Sequence, residues 1–296
     1  MQGIIAAVPT PVDAQGVPQK APFLDHCRWA LEHGCDALNV LGSTGEANSF
    51  DAATRREIMT WAAEAFDTAR LMVGTGTPAL AETFALTAHA DAAGYGVALV
   101  LPPYYYKPAD EDGLFRWYET LHHDLGPRRI EIYFYNFPQM TGITLSPRLI
   151  ERLHRAYPER FTGIKDSSGD LAYCRTLKAM MPDFAVFPSS ETSLAEAAAS
   201  GFAGCISASV NQTAPLCAQV WQARAAPDAE MLTRIGAIRA AIASEPLIPA
   251  VKYLVARRTG AALWSETLPP FTRLTDAQMA RLDQIDLPAP ALTSQL

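Results

Sequence analysis

The sequence has no long uncharged apolar run. Nothing in it approaches the roughly 18 residues a membrane-spanning helix needs, and the first residues, MQGIIAAVPTPVD, carry neither the positive flank nor the cleavage site of a signal peptide. The chain is therefore expected to stay in the cytoplasm, with no membrane contact. It also lacks a basic cluster: 24 Lys and Arg stand against 31 Asp and Glu, a net charge of −7, which disfavours nucleic acid as a partner. Cysteine is scarce, with Cys27, Cys35, Cys174, Cys205 and Cys217 widely spaced and no CxxC pair. They read as small buried hydrophobes rather than redox or metal groups. The 6 histidines form no ligand cluster, so no metal centre is expected. No GxGxxG turn, P-loop or GxSxG elbow is present, which leaves dinucleotide, nucleotide and α/β-hydrolase chemistry unsupported.

What is there is ordinary globular material, 49% hydrophobic and 19% charged, over 296 residues. That is long enough to bury about three quarters of the unfolded surface without a staple. Short β-rich apolar runs recur at 3–8, 37–41, 70–74, 97–101, 130–136, 161–165, 184–187 and 204–208. Helical patterns lie between them, at 51–67, 79–93, 110–123, 146–156, 170–180 and 191–200. Strands alternating with helices are parallel and joined by crossovers, and eight such units predict a (β/α)8 TIM barrel. A doubly wound open sheet would alternate similarly, but it lacks its glycine-rich fingerprint here. Further helical patterns at 212–225, 228–243, 249–259 and 275–285 exceed what one closing helix needs. The expected division is a barrel over 1–225 and a C-terminal helical extension over 226–296, with a Pro-containing tail at 287–296.

In a barrel of this kind the loops after the strands converge on one mouth. Lys165 ends the sixth run, and strand alternation sets Phe161, Gly163 and Lys165 on one face with Ile164 on the other. With Ile164 outward, Lys165 points into the mouth and Gly163 leaves space beside it. A desolvated amine there can attack a ketone to form a Schiff base. Tyr135 ends the fifth run, on the same face as Tyr133, where its phenol could move protons beside that amine. Gly42-Ser43-Thr44-Gly45-Glu46 exposes N–H groups and hydroxyls suited to a carboxylate. Each residue also has a plain reading: a lysine emerging into water, a packed strand aromatic, a capping turn. The tyrosines at 104–106 more commonly pack at interfaces than catalyse.

Five ordered segments, GSTGE, PPYYYKP, YNFPQMTG, GIKDSSGD and GCISASVN, together with AVPTP and EPLIPAVKYL, span nearly the whole chain. In this order they resemble the dihydrodipicolinate synthase and N-acetylneuraminate lyase family. The resemblance implies a homotetramer acting on pyruvate-type keto acids, with Lys165 as the imine-forming lysine and Tyr135 as the proton-transferring phenol. It implies that Thr44 links Tyr135 to Tyr105, the latter reaching across a subunit interface. It further implies that Ser43 and Thr44 grip the keto-acid carboxylate and that the carbonyl of Ile206 borders the imine. No cofactor is expected beyond the covalent imine with Lys165.

Dihydrodipicolinate synthases carry an arginine before Thr-Gly in the fifth segment, where Met140 stands here, and a thioether cannot replace a guanidinium fork. YNFP followed by an apolar residue and Thr-Gly, with GIKD and GCISAS, is similar instead to 2-keto-3-deoxy sugar acid aldolases. The resemblance thus implies a lyase that releases pyruvate and an aldehyde. Ser189, Ser190 and Glu191 would bind the sugar hydroxyls, an expectation balanced against an N-cap with an acidic first turn. Dehydration or deamination of a keto-deoxy acid, a dihydrodipicolinate synthase-like condensation, and a non-catalytic sugar-acid binding barrel are the alternatives.

Overall fold

The computed structural model of the protein describes residues 1–288, so from 289 onward the expected tail and the end of the expected extension lie outside the described residues. The strands are β1 (Gly3–Ala7), β2 (Ala37–Val40), β3 (Leu71–Gly74), β4 (Val97–Val100), β5 (Glu131–Asn136), β6 (Phe161–Asp166), β7 (Ala185–Pro188) and β8 (Gly204–Ser207). Each matches its apolar run to within one residue at either end. All pairings are parallel, in the order β7-β6-β5-β4-β3-β2-β1-β8. The two ends of this sheet meet where Ala203 N–H donates to Val186 O at 2.9 Å, so the barrel is nearly closed. The fold is a (β/α)8 TIM barrel.

Around it run α1 (Lys20–Glu32), α2 (Ala52–Ala65), α3 (Leu80–Ala92), α4 (Glu111–Leu125), α5 (Pro138–Thr141), α6 (Pro147–Ala156), α7 (Leu171–Met180) and α8 (Ala197–Ser200). After β8 follow α9 (Val210–Gln222), α10 (Ala229–Ala243), α11 (Leu247–Thr259) and α12 (Asp276–Asp283). Several start where a polar side chain caps the first turn: Asp51, Asp110, Ser146, Asp170 and Asp228 each accept an N–H two or three residues on. The single helix expected over 191–200 is instead a 3-10 turn at Glu191–Ala195 followed by α8. Among the described residues no helix is long and apolar enough to cross a membrane.

Period-two alternation separates two apolar layers. Ile5, Met72, Leu99, Tyr133, Phe187 and Ile206 fill the barrel, while Ile4, Leu38, Val73, Ala98, Phe134 and Ile164 pack outward against the helices. All five cysteines are free and buried. The expected alternation fails at one place. Phe161 pairs with Ile132, but Gly163 pairs with Tyr133, so Thr162 is an extra residue, a β-bulge. The bulge turns Phe161 outward, onto Phe134 at 5.2 Å between ring centroids, while Gly163 and Lys165 remain inward. Gly163 does not serve the lysine as expected: a Cβ there would meet the Tyr133 ring at 2.8 Å, so the missing side chain makes room for that ring.

The helices after the barrel are tied back to it through His26 on α1. Arg258 Nη2 can only donate, so His26 Nδ1 accepts from it at 2.7 Å. His26 Nε2–H then donates to Asn211 Oδ1 at 2.8 Å, an amide fixed by its own bonds to Ala7 O and Ala208 O. Burial, reinforced by the Arg258 charge, lowers the His26 pKa to about 3. The unfolded chain, near 6.5, therefore binds this proton more tightly than the native state. Stability is present above pH 6.5 and is lost as pH falls from there toward 3, by about 2 kcal/mol at pH 5 from this residue alone. Urea midpoints of wild type and His26→Gln between pH 7 and 5 check this. The variant is expected to be less stable throughout, with a pH slope shallower by about one proton; parallel slopes would reject the assignment.

Candidate active site

The ends of β2, β5, β6, β7 and β8 and the start of α11 surround a cavity of about 290 Å³. Lys165 stands in register with Tyr135 on the neighbouring strand, which sets its Nζ 4.6 Å from the centre of the phenol ring. Both are buried, at 4% and 3% exposure. No ion pair holds the Lys165 amine among the described residues. Ile206 borders the same space from the barrel interior, and Met140, 68% exposed, lies at its rim.

The phenol meets a hydroxyl from the Gly42–Glu46 loop, but it is not the expected one. Ser43 Oγ lies 3.2 Å from Tyr135 Oη, and no hydrogen bond joins Thr44 to that phenol. The chain enters this loop through the left-handed region at Leu41, φ 53°. Thr44 stays buried in the cavity wall. Among the described residues neither Ser43 N–H nor Thr44 N–H donates to a protein acceptor.

The loop is rigidly held. Glu46, at φ 55°, takes a conformation that costs a non-glycine residue of order 1 kcal/mol. Its carboxylate is fixed from both sides: Lys252 Nζ donates to Oε2 at 2.6 Å, Leu268 N–H donates to Oε1 at 2.7 Å, and both ion-pair side chains are fully buried. Burial lowers the Lys252 pKa and the Glu46 charge opposes that shift. Lys252 occurs in EPLIPAVKYL, yet nothing in that segment's local pattern names its partner 206 residues away.

Tyr105, expected to act across a subunit interface, is 72% exposed with its ring edge-on to Tyr106. Two other expected residues sit differently. Ser190 caps the 3-10 turn, accepting from Thr192 N–H. Glu191 is fully buried and accepts from Ser207 Oγ at 2.9 Å, Thr213 Oγ1 at 3.0 Å and Arg239 Nη1 at 2.7 Å, so its oxygens are occupied inside the protein. Of that segment only Ser189 lines the cavity. The group that does face it is Arg239 on α10, which sequence reasoning missed. A signal existed: Ile235, Ile238 and Ile242 mark the buried face of α10, and Arg239 falls four residues after Ile235.

A buried lysine and tyrosine facing each other at strand ends, with free N–H groups opposite, is an arrangement for carbonyl addition and proton transfer. Comparison with known proteins agrees in class. The profile of the Dihydrodipicolinate synthetase family matches residues 1–285. A 4-hydroxy-tetrahydrodipicolinate synthase from Rhodospirillum centenum is 30% identical over 236 residues, 79% of each chain. Dihydrodipicolinate synthase from Agrobacterium tumefaciens superposes with a TM-score of 0.86 at 29% identity, covering 96% of this chain and 97% of that one. A prophage protein of the dihydrodipicolinic acid synthase family from E. coli K12, solved with pyruvate, gives 0.86 at 28% identity over 95% and 96%. The chain belongs to the dihydrodipicolinate synthetase family and is a lyase.

Proposed function

We propose that the protein is a Schiff-base aldolase that reversibly cleaves a 2-keto-3-deoxy sugar acid to pyruvate and an aldehyde. The observation that carries this reading is the Lys165 amine 4.6 Å from the ring of Tyr135, whose hydroxyl meets Ser43 beside two free backbone N–H groups. Ser43 and Thr44 N–H hold the C1 carboxylate, which sets C2 against Lys165 Nζ. The amine adds to C2, and loss of water leaves a protonated imine bordered by Ile206. Tyr135 gives its proton to the departing water, and the phenolate so formed takes the proton of the C4 hydroxyl as the C3–C4 bond breaks. The electron pair passes into the imine, the aldehyde leaves, and an enamine remains. Protonation at C3 and hydrolysis release pyruvate and restore the amine. The imine is the electron sink, so the chemistry needs no added cofactor. The assembly belonging to this reading is a homotetramer in which the exposed Tyr105 reaches a neighbouring copy's site.

A condensing synthase is the second reading, favoured by the names of the relatives. It is weakened at Met140, because a thioether at the rim offers no bidentate donor to a second carboxylate. Incubating the enzyme with a panel of 2-keto-3-deoxy pentonates and hexonates and assaying for pyruvate tests the proposal. Cleavage predicts pyruvate and aldehyde in equal amounts. A product with an unbroken carbon skeleton would replace the reading with dehydration or deamination.

A further inference from the structure

Arg239 is a cation in the wall of this cavity for which the cleavage chemistry has no use, and its geometry says what it awaits. Its Nη1 is spent on protein: Glu191 Oε2 at 2.7 Å, Ser207 Oγ at 2.9 Å and Ser209 Oγ at 3.0 Å. Glu191 is itself immobilised by Thr213 and fully buried, so the guanidinium is anchored at one corner and cannot swing away. Its Nε and Nη2 take no hydrogen-bond partner among the described residues, and the side chain is 28% exposed. Those two nitrogens form the parallel N–H edge that matches a carboxylate or phosphate in bidentate fashion.

Position and charge give this edge a role. The loop after β2 lies across the barrel from β6, while Glu191 and Ser207, which seat Arg239, follow β7 and end β8. A substrate with C1 at Ser43 and Thr44 and C2 on Lys165 has its remaining carbons free to run toward that β7–β8 side. The cavity lining contains Lys165 and Arg239 but no Asp or Glu. A single substrate carboxylate balances the cationic imine and Glu191 balances Arg239, so what the free edge offers a second anion is its fork of charge-assisted N–H donors rather than an unpaired charge.

We infer that Arg239 is a specificity-determining residue and that the physiological substrate is a keto-deoxy acid bearing a second oxyanion, carboxylate or phosphate, at its far end. This rests on the aldolase reading, and it makes the aldehyde product acidic. The test compares kcat/KM for three substrates of one chain length, ending in a hydroxymethyl, a carboxylate or a phosphate ester. Wild type is expected to favour one acidic terminus about 10- to 100-fold over the neutral one, mainly through KM, and the preferred terminus identifies the oxyanion. Arg239→Met is expected to collapse that ratio toward unity. Arg239→Lys, which retains a cation for Glu191 but not the fork, should keep only a small part of it. A wild-type ratio near unity overturns the inference whether or not the variants fold, as does a Met variant whose ratio is unchanged. Borohydride trapping of wild type with pyruvate separates the two claims: an adduct without terminal preference sinks only the role of Arg239, whereas no adduct sinks the aldolase reading beneath it.

Discussion

Lys165→Ala is expected to abolish covalent trapping. Wild type treated with pyruvate and borohydride should gain the mass of one reduced pyruvyl imine, mapped to the peptide holding Phe161–Asp166, and the variant should gain nothing. Turnover of the keto-deoxy acid should fall by about 10⁴-fold or more, as when a covalent nucleophile is removed. The loss would not be a folding artefact. Lys165 holds no ion pair among the described residues, so truncation orphans no buried charge, and β6 keeps its ladder to β5 and β7 through the backbone. An intact circular dichroism spectrum with no adduct is the expected combination. An adduct that persists in the variant would move the chemistry to another amine, and Lys252, held 2.6 Å from Glu46 and fully buried, is not placed to supply it.

That this lysine could be found at all follows from barrel physics. Strands covered on both faces must be apolar throughout, so a charged residue ending such a run is conspicuous, and Lys165 and the eight strand positions were legible for the same reason. Legibility failed where one residue's register depends on distant geometry. The bulge at Thr162 turns Phe161 to the other face, and no local pattern announces an extra residue whose only signature is its pairing with β5. Two adjacent hydroxyls, Ser43 and Thr44, are alike in sequence, and which one meets the phenol is decided by the path of the folded loop. Ser190 and Glu191 had the chemistry of polyol ligands, but Glu191 is consumed by Arg239, a partner 48 residues away. Arg239 itself lies in the segment read only as a C-terminal helical extension. Ion pairs between distant elements are settled by tertiary approach, and that is what sequence periodicity does not encode.

The second large effect is expected at Tyr135, and its size measures proton transfer apart from binding. Tyr135→Phe keeps the ring that lies 4.6 Å from Lys165 and 5.7 Å from Phe137, so the packing around the amine is preserved and only the hydroxyl is lost. Ser43, the partner of that hydroxyl, is half-buried and open to the cavity, so water can take up its freed hydrogen bond at small cost. Stability should therefore change by about 1 kcal/mol at most. Turnover should fall by about 10² to 10⁴-fold, the usual worth of a positioned general acid or base. The borohydride adduct on Lys165 should still form, more slowly, because addition and loss of water can borrow protons from solvent, whereas the C4 hydroxyl of a bound substrate faces the phenol. Ser43→Ala, which leaves the phenol in place but unoriented, should fall between wild type and Tyr135→Phe. Unchanged turnover in the phenylalanine variant would remove Tyr135 from the proton path, and a loss confined to adduct formation would place it at the imine step alone.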